Sequence, residues 1–470
     1  MEKAKEPAKG KAPRKRPWRD NIEAVTMAIV MAVMLKYFIV EAYQIPTGSM
    51  QPTLMGNDEA EIKDRILVDK LSFHFRDPER FEVVVFRYPL DRSKNFIKRI
   101  CGMPGEDLRI ALGDLWTRKG PADEYRILRR PVPIQREVWK RIWPKDPRFS
   151  SWRVESGAKS WVLHGRDSIQ ARGDGTVRLP NDNGPVTDSY RDGYPGEIAN
   201  VLARSRPASH PTGDLRIVGD VKAMAGCKSV EVVLREGERR YVFELPGPAA
   251  PSDATSGIRT EGLASAVHGE DASVRASHPY RLPAGGSVSF AAQNMDDLLT
   301  LEIDGDRVAE LEIPAASDQA SCFELRSEGE GSDFSGIEVY RDIYYTEDGK
   351  QTEFRIPAES YVMLGDNTQD SSDSRFWTLI TLGPDADGKM VRGNYFPPQN
   401  PISVPGDPAG TRIFLRDEWG DLHDFVQSLD MTPEMTGAPF VRRDLIVGRA
   451  VAVFWPLSLA HKVWRLQWVH

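Results

Sequence analysis

The chain has 470 residues, of which 40% are hydrophobic and 28% charged, with 38 glycines and 34 prolines. At roughly 150 residues per domain there is room for about three domains, and the composition excludes a collagen, a mostly disordered chain and a polytopic membrane protein. The net charge of −7 conceals a segregation, because residues 1–19 carry a local +6 and the remainder −13. An acidic body behind a basic arm argues against nucleic acid as a partner. Cys101, Cys227 and Cys322 are too few for a disulfide framework, and no Cys/His cluster has metal-ligand spacing, so neither a metal nor a cofactor is expected.

After the basic arm (1–20) comes Ile22–Val40, whose only polar members are Glu23, Thr26 and Lys36. At ~1.5 Å per residue this run nearly matches a hydrocarbon core of ~30 Å. It predicts a single transmembrane helix over 21–41, with the arm cytoplasmic and the body outside. No small-x-small cleavage pattern follows Leu35, which favours an anchor over a cleaved secretory signal.

The body reads as mainly β. Arg65–Asp69, Phe81–Tyr88 and Asn95–Cys101 are β-rich runs, the last closed by the turn Gly102-Met-Pro-Gly105. Between about 146 and 340 lie Arg216–Val221, Ser229–Leu234, Arg240–Leu245, Ser287–Ala291, Leu298–Ile303 and Gly336–Tyr340, spaced as in a β-sandwich. Pro246–Gly262 is rich in Pro, Ala, Ser and Gly and is predicted to be a loop. The first texture returns near Ile356. Thr378–Thr436 is expected to be irregular with a short helix near Glu418–Leu429, and Asp444–Trp455 is a last strand. The predicted partition is a core first part at 42–145, an inserted β-sandwich at 146–340, a core second part at 341–377, an irregular second insertion at 378–437, and a last core strand with tail at 438–470.

Four segments carry residues of chemical interest. In Gln44–Leu54, Gly48 permits a tight turn and Pro46 and Pro52 stiffen its flanks, so the Ser49 hydroxyl is presented from a fixed loop. Taken alone, this is also ordinary turn composition. In Phe96-Ile-Lys-Arg-Ile100, strand alternation puts Lys98 on one face with Phe96 and Ile100. A lysine desolvated by such neighbours loses its proton more easily and becomes a base for a serine; an edge-strand lysine in water would not. Asp64–Lys70 is a strand ending in polar residues. Ile356–Trp377 runs from a strand into a loop dense in Asp, Asn and Ser, which suits turns or calcium as readily as catalysis.

Their order is more specific than any one of them. Ile-Pro-Thr-Gly-Ser-Met-Gln-Pro-Thr-Leu after a membrane run is followed by Asp-Arg-Ile-Leu-Val-Asp-Lys and Val-Val-Val-Phe-Arg-Tyr-Pro. Then come Phe-Ile-Lys-Arg-Ile-Cys-Gly-Met-Pro-Gly-Glu and Gly-Asp-Asn-Thr-Gln-Asp-Ser-Ser-Asp-Ser-Arg-Phe-Trp. This series resembles bacterial type I signal peptidase over about 22–118, 341–377 and 438–456. The resemblance implies a membrane-bound Ser–Lys endopeptidase of the inner membrane that cleaves signal peptides after Ala-x-Ala-type sequences, with the bilayer as its other partner. It implies Ser49 as nucleophile, Lys98 as general base, and an oxyanion site from the Ser49 backbone N–H and the Thr47 hydroxyl. It further implies Ser371 as the lysine-orienting hydroxyl, Asp373 and Arg375 as a supporting ion pair, and Ile45 and Ile97 at small substrate pockets; Met50 is given packing only. The family frequently has Arg-Asp where this chain has Thr368-Gln369, and an aliphatic residue at Cys101. The insertion loosely resembles laminin-G or concanavalin-like sandwiches. Two other readings stay open: a self-cleaving regulator with the same dyad, and a membrane-tethered sandwich that binds a ligand on an inactive protease core.

Overall fold

The computed structural model describes residues 17–56, 63–144, 151–157, 160–179, 186–188, 210–262, 275–349, 351–383, 388–395, 402–403, 411–426, 433–458 and 463–469. The basic arm, apart from its last residues, lies outside this set.

An α-helix over Pro17–Met34 passes into a π-helical turn, Leu35–Ile39, and the chain enters a strand, Val40–Gln44. The expected membrane-crossing helix over 21–41 is therefore not formed as such. Among the described residues no helix is long and apolar enough to cross a membrane. Eighteen α-helical residues span about 27 Å, short of a ~30 Å core, and the first turns hold Arg19, Asp20 and Glu23. At the other end Val40 and Glu41 are claimed by the sheet, where they pair with Asp69 and Val68. The helix nonetheless leaves Ile22, Val25, Met27, Ile29, Val30, Met31 and Val33 exposed.

The first sheet is antiparallel, in the order Val40–Gln44, Arg65–Asp69, Ile446–Trp455, Val83–Tyr88, Asp91–Gly102, Ser360–Leu364, Phe440–Arg442. Its central strand shows why these residues form it. Val84 and Phe86 pack into one cluster with Ile100, Met363 and Trp377, while Val83 and Val85 pack into another with Ile45, Met50, Leu54 and Ile66. Side chains alternate between faces with a period of two, so a run apolar at every position suits a strand covered on both sides. Each fully buried aliphatic side chain contributes about 1.5–3 kcal/mol. A smaller sheet, Glu353–Arg355, Asp107–Ala111, Asp114–Arg118 and Arg126–Ile127, lies beside it in the chain.

Two further sheets form the sandwich. One runs Trp161–His164, Ser168–Arg172, Gly331–Arg341, Leu215–Ala223, Ser287–Met295, Leu298–Ile303, Asp306–Glu312; the other runs Arg275–His278, Ser256–Gly262, Arg239–Pro246, Cys227–Glu236, Ser321–Gly329, Gly175–Leu179, Arg153–Ser156. Their shared core includes Trp143, Ile217, Phe243, Phe290, Phe323 and Phe334. Lys140–Trp143, on the core side of the boundary expected at 146, pairs with Gly331–Arg341.

Three sequence expectations change. Pro246–Gly262 is not all loop: Ser256–Gly262 pairs along Arg239–Pro246 and buries Ile258, an apolar residue that the Gly- and Ser-rich flanks concealed. Thr378–Thr436 is not irregular: Thr378–Leu382, Val391–Tyr395, Ile402–Ser403, Thr411–Asp417, Leu422–Val426 and Glu434–Gly437 form a sheet around Ile380, Leu382, Ile413, Leu415 and Phe425. No helix forms at Glu418–Leu429 within the described residues. Asp417–Asp421 is a turn, with the N–H groups of Trp419 and Asp421 donating to the Asp417 carboxylate, and a strand follows. Residues 427–429 lie outside the described set.

Candidate active site

The loop after Val40–Gln44 is a tight turn, closed by the Gln51 N–H donating to Gly48 O at 3.0 Å, and Met50 and Leu54 anchor it in the core. This fixes Ser49 at the edge of the sheet, largely buried. Across from it, the strand Asp91–Gly102 pairs Lys98 with Val84 and Ile97 with Val85. The Lys98 Nζ lies 2.5 Å from Ser49 Oγ and 3.1 Å from the Ile97 carbonyl oxygen. Lys98 meets no carboxylate in an ion pair among the described residues. Burial pushes its pKa down to about 8, against the charges of Asp373 and Asp366, which raise it; Arg375 adds to the lowering. A lysine poised there is neutral often enough at working pH to accept a proton.

A third segment closes the site. Ser360–Leu364 pairs with the lysine strand so that Leu364 faces Arg99, and Gly365-Asp-Asn367 follows directly. Each of these three has a separate physical task. A Cβ on Gly365 would come within 2.4 Å of the Ser49 carbonyl oxygen and 2.2 Å of Ser371 Oγ, so only glycine permits the approach. Asp366 takes Arg99 bidentately, Nε at 2.9 Å and Nη2 at 2.8 Å, and both are fully buried. Burial works to raise the Asp366 pKa, but the Arg99 guanidinium outweighs it and the carboxyl is held low. Asn367 donates through Nδ2 to Gly48 O at 3.0 Å and through its backbone N–H to Ser49 O at 3.2 Å, pinning the serine loop.

The supporting pair expected from the sequence forms. Arg375 meets Asp373 through Nε at 2.9 Å and Nη2 at 2.8 Å, fully buried, and also donates to Thr346 and to the Thr368 carbonyl. Asp373 in turn accepts the Gly365 N–H at 3.0 Å. Thr368, at a departure from the family pattern, binds the Tyr344 carbonyl through its hydroxyl at 2.6 Å. Ser371 is brought to the site, but its buried Oγ makes no hydrogen bond, so the expected contact to Lys98 is not made in this state. Thr47 is exposed on the loop, two residues before Ser49. Ile45 is buried, and Ile97 packs against the same cluster. Met50 is fully buried, as packing requires. Cys101 is a buried thiol that burial pushes up to about 12; Cys227 and Cys322 are free.

Arg99, Gly365, Asp366 and Asn367 lie within the motifs quoted from the sequence but received no role there. Arg99 is one residue from Lys98 on the opposite strand face, and a buried arginine there demands an acid, which was the available signal. A second group also escaped it. Carboxylate oxygens of Asp114, Asp214 and Asp296, distant in sequence, lie within 4.8 Å of one another between the small core sheet and the sandwich.

A family description, signal peptidase of peptidase family S26, matches residues 18–136 and 298–389. The resemblance to the S26 signal peptidases is thereby shown. The S26-like core is 36% identical over 130 residues to a probable signal peptidase I-2 of Synechocystis sp., covering 26% of this chain and 56% of that protein. It is 41% identical over 93 residues to signal peptidase I of Pseudomonas fluorescens, covering 17% of this chain and 31% of the other. The chain thus spans little more than half the length of the Synechocystis relative. Among solved structures, a carbohydrate-binding module, CBM66 from Bacillus subtilis, is 10% identical with a TM-score of 0.26, covering 41% of this chain and 96% of that one. At that score nothing follows about sugar binding.

Proposed function

We propose that the chain is a membrane-tethered serine endopeptidase that removes signal peptides from exported preproteins with a Ser49–Lys98 dyad, its body outside the cytoplasmic membrane. The observation that carries this is the 2.5 Å approach of a buried, unpaired Lys98 Nζ to Ser49 Oγ. Neutral Lys98 takes the Ser49 proton as Oγ attacks the scissile carbonyl carbon. The oxyanion is held by the Ser49 N–H and the Thr47 hydroxyl, and the lysine ammonium then protonates the leaving amine. Water, deprotonated by the same lysine, releases the acyl group. Ser371, whose buried hydroxyl has no hydrogen-bond partner among the described residues, orients the lysine during these transfers; catalytic hydrogen bonds often tighten only with substrate bound.

The substrate adds as an extended strand, and Ile45 and Ile97 line pockets that admit only small residues one and three positions before the cut. The apolar side chains that the helix Pro17–Met34 leaves exposed support tethering to lipid through that helix. The test is cleavage of a synthetic peptide with an Ala-x-Ala site. Ser49→Ala and Lys98→Arg should each reduce turnover by roughly 10⁴-fold or more, since guanidinium does not deprotonate at usable pH. Appreciable turnover by Lys98→Arg would remove the general-base assignment.

A further inference from the structure

A cleft of about 600 Å³ opens beside the Ser49 loop, and neither Ile45 nor Ile97 lines it. One wall is Pro52 and Thr53, which follow Ser49 on the same turn; others come from the helix Val132–Val138, the strand after it, and the C-terminal segment. Trp139 and Trp468 supply apolar surface. The cleft is strongly basic: Arg136, Lys140, Arg141 and Arg465 line it against a single acid, Glu137.

These cations are not equivalent. Arg465 is held by Asp64 at 2.9 Å, and Arg141 pairs with Glu338. Arg136 is exposed and makes no ion pair among the described residues. Lys140 is buried, and among the described residues its Nζ donates only to the Glu137 carbonyl at 3.2 Å. Two cationic groups therefore face the cleft with no side-chain carboxylate hydrogen-bonded to either. A buried ammonium without a counter-ion is costly, and a bound carboxylate would relieve that cost. Burial pushes Lys140 down to about 8 as it stands, although Asp366 and Glu137 pull the other way.

We propose that this cleft receives the substrate on the leaving side of the scissile bond and prefers an acidic residue within the first few positions after the cut. An extended peptide advances ~3.3–3.6 Å per residue, so a few residues beyond the cut bring it from Ser49 past Thr53 into the basic space. The residues before the cut are small at the two pockets and apolar further upstream, so an acidic side chain that matches this basic space has to come from the leaving segment. The proposal rests on the Ser49–Lys98 reading.

The experiment uses peptides with one Ala-x-Ala site that differ only in Asp, Ala or Lys at each of the first four positions after it. The protein should cleave an Asp peptide with about 3- to 10-fold higher kcat/KM than the Lys peptide at one or two of these positions. The preference should shrink as salt is raised from about 50 mM to about 500 mM. Arg136→Glu, an exposed change that leaves the core intact, should invert the Asp-to-Lys ratio. Equal kcat/KM for all three residues at all four positions, or a preference untouched by Arg136→Glu, overturns the proposal. Phosphatidylglycerol vesicles that abolish the Asp preference would assign the cleft to a lipid headgroup and also overturn it. Failure to cleave any of the peptides is a different result: it removes the dyad reading, and this inference with it.

Discussion

In the S26-like core, the buried cations Arg99 and Arg375 are each held by a carboxylate in a bidentate pair, whereas Lys98 makes no ion pair among the described residues. At the junction with the sandwich the pattern is reversed. Asp114, Asp214 and Asp296 crowd together, and Arg130 reaches only Asp296, at 3.5 Å, and Asp342. There burial, reinforced by neighbouring carboxylates, pushes Asp297 up to about 7 and Glu236 to about 8. Asp296 and Asp318 rise to about 6, chiefly by burial, and Asp114 and Asp214 stand well above the usual carboxylate range. A buried charge with a matched partner holds its ionisation and acts as scaffold. A buried group whose partners do not outweigh burial gives up its charge, as Glu236 does despite its contact with Arg239, and its protonation then follows pH. In the core two lysines, Lys98 and Lys140, are pushed down in this way, each to about 8.

The contrast can be broken at its paired end first. Asp366→Asn removes the bidentate carboxylate that holds the buried Arg99, which should cost about 3–5 kcal/mol in denaturant unfolding. A loss under about 1 kcal/mol would mean that Arg99 is solvated some other way. The next effect is kinetic. Thr47→Val should lower kcat by roughly 10²–10³ with little change in KM, because an oxyanion donor acts in the transition state. Parental activity would show that another group holds the oxyanion. The smallest effect belongs to the junction. Its carboxyls have folded pKa values above their unfolded ones, so their stabilisation is present at low pH and is lost as pH rises through about 6 to 8. The unfolding midpoint should fall by a few degrees, about 2–4 °C per kcal/mol, between pH 5.5 and pH 8.5 measured by calorimetry. A midpoint that rises over that interval would show these acids to be ionised and compensated.

Much of the core was legible because strand signals there are local. Arg65–Asp69 in the core and Leu298–Ile303 in the sandwich appear with the bounds read from the sequence, and Val83–Phe86 is apolar without interruption. The strands missed in Thr378–Gly437 are short and carry charged residues at partly exposed positions, as in Thr411–Asp417, so their pattern resembles a loop. Ser49 and Lys98 could be named because their motifs are compact, and Asp373 and Arg375 because they are two residues apart. The Arg99–Asp366 pair and the acid junction depend on contacts across hundreds of residues, which no local pattern encodes. A helix does run through the apolar stretch, but not the membrane-crossing one expected over 21–41, because its ends are set by the polar first turns and by sheet pairing at Val40.

If Lys98 serves Ser49 as the proposed base, its burial with no ion pair among the described residues must let it lose its proton near neutral pH. The most direct measurement is the pH dependence of kcat/KM for a peptide that carries no titrating group. The account predicts activity that rises with pH and levels off above an apparent pKa of about 8, the value to which burial lowers Lys98. A limb near 6.5, as for histidine, or one still rising at the ordinary lysine value of about 10.4, would contradict it.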